Sequence, residues 1–522
     1  MPHPYELIIL HGVESSRRKG IAAIAVVLAL AGCGSTVETT AGAPISQDGG
    51  LTTNGAATGL GGPGATTGVP GSTGGTNGLA PSSVGVPGAT SAGGQAGAGM
   101  STATAPTTTG AGGQSASRLG PAGTAFGVTD KTIKIGIFTV QGFSSFGASL
   151  GVNVSVGDQR AEAQAVIKYL NAHGGMAGRQ IIPIFHDESV SGAASNYNGE
   201  MQAACAAWTQ DNRVYALASA IGTQGDTLYQ CLGKANVITS SAGESKDAQF
   251  FEQYANTFYM PVEVNLTRIL HDNVDALYGA GFFGSNAKVG VVRVDDPIEE
   301  RAVNDGLIPA LAGHGLKLTD QYAISSGDDS TAQFSNAVLK FKAEGITHVL
   351  FTFASPLFFM TNAESQHYHP RYGLHSRSSP AALLQGNAPN DQLAGSMGIG
   401  WQQYNDVDAS HDPGPPSPRA KLCLKLMRDA GQNTSVRATA LVGLWQCDVL
   451  FFLHDALAAA PNFTLAGFRA GAESLAHYEA ASTFRSGFSP GQLHDAAKAY
   501  RLFAFKNSCS CFAYVSGLRP AP

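Results

Sequence analysis

The chain has 522 residues with a formal net charge of -6, and 13% of its residues are charged against 43% hydrophobic. That balance leaves no polybasic surface for nucleic acid and no charged patch to hold a membrane. At this length, several packed units are expected.

The N-terminal segment carries a targeting signal. Arg17, Arg18 and Lys19 precede an apolar run over 21–31 that ends in Leu30-Ala31-Gly32-Cys33. The run is shorter than the roughly 20 residues that span a bilayer and has the flanks of a signal-peptide core. A hydrophobic residue and two small ones before a cysteine resemble the bacterial lipobox, in which the thiol takes up a diacylglycerol. Residues 1–32 are therefore expected to be a signal peptide, with a start nearer Val13 suiting that role better. Cys33 is the expected lipidated N-terminus. The protein is then anchored to the cell membrane by lipid, on its extracytoplasmic side, in a bacterial envelope.

Residues 33–127 read as a tether. No charged residue lies between Asp48 and Arg118, and no aromatic one between Tyr5 and Phe126. A Gly/Ala/Thr/Ser/Pro stretch of this kind buries too little apolar surface to offset its chain entropy and is expected to be disordered. As a flexible coil of about 90 residues it would span roughly 50 Å. Gly59, Gly61 and Gly64 match the dinucleotide-binding glycine spacing, but no strand precedes them and no helix follows, so the motif is rejected.

From Val128 onward, strands and helices alternate. A buried strand is predicted over 131–140, then a Gly/Ser loop over 141–147, a helix over 156–172 stopped by His173-Gly174-Gly175, and a strand over 181–185. Helix 197–210, strand 215–219, helix 227–234 and strand 237–239 follow. A second block repeats the pattern: helix 262–278, strand 288–294, helix 299–314, strand 318–324, helix 331–344, strand 348–353, helix 360–367 and strand 382–385. Helices over 418–430 and 438–460 complete it. Such alternation implies an α/β fold of two doubly wound parallel-sheet lobes. The expected boundaries are 128–259, with about 392–480, for the first lobe and 260–391, with about 481–522, for the second. No further apolar run long enough to span a membrane is expected.

Six cysteines follow Cys33, and an even number outside the membrane suggests disulfides. Cys205 with Cys231 and Cys423 with Cys447 would close short loops, each contributing about 3 kcal/mol. Cys509 and Cys511 are too near for an ordinary unstrained bridge, and either pairing or free thiols fits them.

Ile133-Lys134-Ile135-Gly136-Ile137, the helix ending Tyr169-Leu170-Asn171-Ala172-His173-Gly174-Gly175-Met176-Ala177-Gly178-Arg179, Val237-Ile238-Thr239-Ser240-Ser241-Ala242-Gly243, Asn256-Thr257-Phe258-Tyr259-Met260-Pro261 and Lys288-Val289-Gly290-Val291-Val292 resemble the type I periplasmic binding proteins. The branch is that of the Leu/Ile/Val-binding substrate receptors of ABC transporters. The resemblance covers 128–522 and weakens after about Asp406. It implies two lobes joined by a three-strand hinge, a ligand in the cleft, an ABC permease as partner, a monomeric receptor and no cofactor.

Parallel sheets bind ligands off the carboxyl ends of their strands. Those loops place Ser145, Phe146, Ala220, Thr223, Gln224, Ser240 and Ser241 on the first lobe, and Asp296, Phe353, Ser355 and Asn387 on the second. Each has a plainer reading: Ser240 and Ser241 as strand-end satisfiers, Thr223 and Gln224 as helix caps, Phe146 as core, Asp296 as a solvated turn residue. By resemblance, the family's carboxylate-holding serine and threonine fall on Ala220 and Gly243, its second-lobe aromatic near Pro297 or Ile298, and its ammonium-pairing acid near Ala388. An unpaired buried ammonium costs several kcal/mol, so a carboxylate, an amide or another small polar metabolite is as fitting as an α-amino acid. His367, His369 and His375 with Glu364 match no zinc spacing, and no catalytic elbow or zinc-protease motif occurs. No metal and no enzymatic activity are expected. The leading function is capture for an ABC importer. A signalling receptor of the same fold, and an extracytoplasmic enzyme or cell-wall scaffold, are the alternatives.

Overall fold

A computed structural model describes residues 125–142, 155–223, 225–325, 330–352, 356–412, 417–490 and 494–521. The expected signal peptide, Cys33 and nearly all of the expected tether lie outside these residues. The first lobe is a five-stranded parallel sheet in the order β2-β1-β3-β4-β5, formed by Thr132–Gln141, Gln180–Ser189, Ala216–Ser219, Ile238–Ser241 and Phe258–Tyr259 for β1 to β5. Side chains alternate across β1. Ile133, Ile135 and Ile137 pack under helices Gln159–Ala172 and Arg437–Ala459, while Phe138 joins Leu217, Trp208 and Leu232 on the other face. Both faces are thus apolar and covered, as a parallel sheet requires. Asp158 starts the first helix by accepting the Ala161 N–H at 3.0 Å, leaving no need for a longer helix back to 156.

The second lobe is an eight-stranded sheet with the path β12-β11-β10-β9-β8-β6-β7, to which β13 adds by pairing with β11. Its strands are β6 Val289–Val294, β7 Leu318–Ile324, β8 His348–Phe351, β9 Arg371–His375, β10 Met397–Gly400, β11 Ala499–Lys506, β12 Cys511–Tyr514 and β13 Arg519–Pro520. The strands β6 to β10 are parallel, and β11 and β12 run antiparallel at one end.

Three expectations are corrected. Residues 382–385 belong to helix Pro380–Gln385, not a strand, and the strand in that part of the sheet is β9. Proline at the first helical position and the Ala-Ala-Leu-Leu run favour a helix. Second, β10 lies in the second sheet, so the return to the first lobe follows it rather than starting at about 392. Third, Tyr478, Ala481, Phe488 and Ala496 pack in the first-lobe core while Ala497 and Leu502 pack in the second, so the last crossing comes near 496 rather than at 481.

Helix Arg437–Ala459 is long and apolar enough to cross a membrane by length and composition, yet 89% of its apolar 18-residue window is buried inside the protein. It is the central helix of the first-lobe core, beside helices Pro418–Asp429 and Leu465–Glu473. Cys423–Cys447 joins two of these helices, and Cys205–Cys231 pins the opposite face, with Cα separations of 6.1 and 6.2 Å. Both pairings match the sequence expectation. Cys509 and Cys511 are also joined.

Candidate functional site

The chain crosses between the sheets at 260–265, within 401–420 and near 496, and these segments are laced together. Met260 donates its N–H to His494 O at 2.6 Å and accepts from Ala496 N at 3.0 Å, while Ala497 N donates to Glu263 O at 3.1 Å. Asp495 accepts from both Asn265 N and Asn265 Nδ2 at 3.0 Å and from Arg268 at 2.5 Å. Glu263 lies at the centre of this hinge. Its fully buried carboxylate accepts from Gly243 N at 3.1 Å, Gln402 Nε2 at 3.0 Å and Trp401 Nε1 at 3.2 Å, and faces Arg377 at 3.6 Å. One side chain thereby ties the first lobe, the second crossing and the second lobe. Burial pushes its pKa up, and the Arg377 charge and these donors oppose that rise.

The loops leaving β3 and β4 form the first-lobe rim. They are organised by Glu244, which accepts from Thr223 N at 2.9 Å, from Ser241 Oγ at 3.0 Å and from the Tyr229 hydroxyl. Lys246 faces it at 3.2 Å and donates to Thr223 O and Gly225 O, each at 2.9 Å. Gly222 is required here, because a Cβ would stand 2.7 Å from the Glu244 carboxyl and from Gly243 O. Gly243 takes a φ of +68°, which suits glycine, and its face approaches the Trp445 ring.

Thr223 and Ser241, predicted from sequence as ligand contacts, thus come together around one carboxylate. The Ser241 hydroxyl and the Thr223 N–H are both given to Glu244. Ala220 is buried beside them. Ser240 is fully buried, and its hydroxyl has no partner among the described residues. Ser145, Phe146, Gln224, Phe353 and Ser355 lie outside the described residues.

The second-lobe rim is formed by the carboxyl ends of β6, β8 and β9. Asp296 accepts the Ile298 N–H at 2.6 Å and so caps helix Pro297–Ala302, a use that leaves it less free than a solvated turn residue. Glu299, fully buried, accepts from Val294 N at 2.6 Å and from the Thr352 hydroxyl. Burial is the main cause lifting its pKa to about 7. His375 is buried, its Nε2 lies 3.0 Å from Phe351 O, and its ring stacks on Trp401. Desolvation lowers its pKa to about 4, so it is neutral, with the Nε2 proton donated to that carbonyl.

Because β9 ends at His375, the rim loop there is 376–379, and Asn387 is displaced from it. Asn387 is exposed just after helix Pro380–Gln385, with a φ of +57°. The side chain that reaches the cleft from this strand end is Arg377, whose guanidinium donates to Gly243 O across the lobes. A second contact between the lobes pairs Arg301 with Asp247 at 2.6 Å, and Ile298 enters the first-lobe apolar cluster. Sequence reasoning missed Glu244, Lys246, Glu263 and Arg377. The polar run Ser376-Arg377-Ser378-Ser379 before Pro380 was the available signal for Arg377. The site therefore joins two hydrogen-bonding rims whose described charges are largely compensated, a surface suited to holding a small solute by directed hydrogen bonds.

No family model matches the sequence, and no significant relative is found among curated proteins. Solved structures do match. A fatty acid ABC transporter substrate-binding protein from Thermomonospora curvata is 16% identical with a TM-score of 0.53, over 76% of this chain and 95% of that one. A solute-binding protein of an ABC transporter from Rhodopseudomonas palustris HaA2, in complex with p-hydroxybenzoic acid, is 12% identical with a TM-score of 0.55, over 75% and 98%. A possible leucine/isoleucine/valine-binding protein from Rhodopirellula baltica SH 1 is 14% identical with a TM-score of 0.53, over 74% and 96%. At such identities the likeness speaks for architecture. Two wound sheets, three laced crossings and opposed strand-end rims make this the type I periplasmic binding fold.

Proposed function

We propose that this protein is an extracytoplasmic solute-binding lipoprotein, the capture subunit of an ABC importer for a small polar metabolite of the amino-acid, amide or carboxylate class. The observation that carries this reading is the pair of strand-end rims opposed across a hinge centred on Glu263. A clamp so built closes on a solute by rotation about a few linked segments. Of the similar solved proteins named above, one belongs to a fatty acid ABC transporter, one is in complex with p-hydroxybenzoic acid and one is a possible leucine/isoleucine/valine-binding protein. The lipobox at Cys33 and the long tether would keep the clamp near a membrane permease at raised effective concentration. With the Arg377 guanidinium reaching the cleft from the end of β9, a ligand presenting a carboxylate or a neutral polar head fits the rim better than a bare ammonium.

The test is a thermal-shift screen of the full chain against amino acids, amides, aliphatic and aromatic carboxylates and sugars. A specific raised melting point that falls at least tenfold in apparent affinity on Phe146→Ala or Phe353→Ala supports the reading. If no compound of these classes shifts the melting point, small-solute capture is overturned.

A further inference from the structure

Away from the cleft, the β11–β12 hairpin tip brings two sulfurs and an imidazole together. One ligand atom from each of His411, Cys509 and Cys511 lies within 4.8 Å of the others. His411 ends the short turn Ala409–His411, and its Nε2 is 3.4 Å from Cys511 Sγ. The opposite nitrogen, Nδ1, stands 2.9 Å from Asp408 Oδ1 and 2.8 Å from Ser410 Oγ. A carboxylate there favours the Nδ1–H tautomer and turns the Nε2 lone pair toward the sulfurs, the arrangement that carboxylates give to metal-binding histidines. Cys511 is buried, Cys509 is exposed and His411 is half-buried, so the group is anchored on one side and open on the other.

In the structure the two sulfurs are joined. We propose that in its dithiol state this group is a site for a thiophilic d10 cation, Cu(I) or Zn(II), held by the thiolates of Cys509 and Cys511 and by His411 Nε2, with Asp408 as the positioning residue. Thiolates and imidazole select these cations over Mg²⁺ or Ca²⁺. Three protein ligands complete a trigonal Cu(I) site or leave a fourth position for water on Zn(II). Opening the disulfide takes two electrons and two protons from a dithiol reductant, which becomes a disulfide in turn. Loading the cation then releases both thiol protons to solvent.

The test uses the full chain carrying Cys33→Ala, reduced mildly and desalted without oxygen, with alkylation and mass spectrometry verifying that Cys205–Cys231 and Cys423–Cys447 stay closed. It is titrated with Co(II), whose thiolate charge-transfer absorption reports a zinc-type site, and with Cu(I) against bathocuproine disulfonate. One equivalent of either cation on the reduced chain and none on the oxidised chain is expected. The double substitution Cys509→Ser/Cys511→Ser should abolish binding, His411→Ala should weaken it at least tenfold, and Asp408→Asn should weaken it several-fold at unchanged stoichiometry. The site is overturned if the reduced chain retains neither cation, or if His411→Ala binds as tightly as the parent.

Discussion

Glu244 on the first-lobe rim and Glu299 on the second are both buried carboxyls at the carboxyl ends of parallel strands, but their surroundings differ. Glu244 has Lys246 at 3.2 Å and three further donors. The close partners of Glu299 are an N–H and a hydroxyl, and its pKa is lifted to about 7. The ion pair and the donors around Glu244 tie the loops of the first rim together. A buried carboxyl held by neutral donors keeps its proton until the pH nears neutrality, so its rim answers to pH. Two lobes with one architecture thus pair a rigid rim with a titratable one.

The sharpest way to break this contrast is Lys246→Met. It leaves Glu244 buried and uncompensated, and a loss of about 3–5 kcal/mol is expected in denaturant unfolding. The double variant Lys246→Met/Glu244→Gln should recover much of that loss. A single-variant loss below about 1 kcal/mol would remove the ion pair as organiser of the first rim.

Rigidity of the first lobe also rests on its staples. Cys423→Ser/Cys447→Ser should cost about 2–4 kcal/mol, read as a lowered melting point with earlier proteolysis of the first lobe. A lobe-by-lobe cleavage pattern unchanged from the parent would show that the bridge does not set the difference.

Glu299 supplies the titration. Its folded pKa stands above the unfolded value of 4.5, so its contribution is fully present below that value and is lost as pH rises through about 7. Glu299→Gln should flatten that part of the stability profile by at most about 3 kcal/mol relative to the parent. Parallel profiles for the two proteins would place the pH response elsewhere. Glu188, Asp406 and Glu162, lifted to about 7, 7 and 8 chiefly by burial, act in the same sense in both proteins and cancel in the comparison.

The smallest effect is expected from Asp296→Ala, about 1 kcal/mol for a lost helix cap. An added loss of ligand affinity beyond tenfold, once a ligand is in hand, would restore Asp296 as a direct contact.

Much of the architecture was legible in the sequence because buried parallel strands read as apolar runs and helices as periodic ones. Predicted and observed limits coincide for β7 and lie within a few residues for β1, β3, β4, β6 and β8. The failure at 382–385 has a specific cause. A short apolar run carries no period to separate helix from strand, and Pro380 was the cue that should have decided it. That single misreading shifted the second rim from Arg377 to Asn387. The central contacts of the site were hidden for another reason. Glu263 finds its partners at Arg377, Trp401 and Gln402, and no local pattern announces a carboxylate whose donors arrive from so far along the chain.

Trp401 gives that hinge an optical handle. Its indole N–H is bound to Glu263 at the fulcrum and its ring lies on the neutral imidazole of His375. Any rotation of the lobes that lengthens the first contact or slides the second changes the polarity felt by the excited indole. With Trp208 and Trp445 replaced by phenylalanine, the emission of this one native side chain becomes a gauge of jaw angle, readable with no dye attached to either lobe.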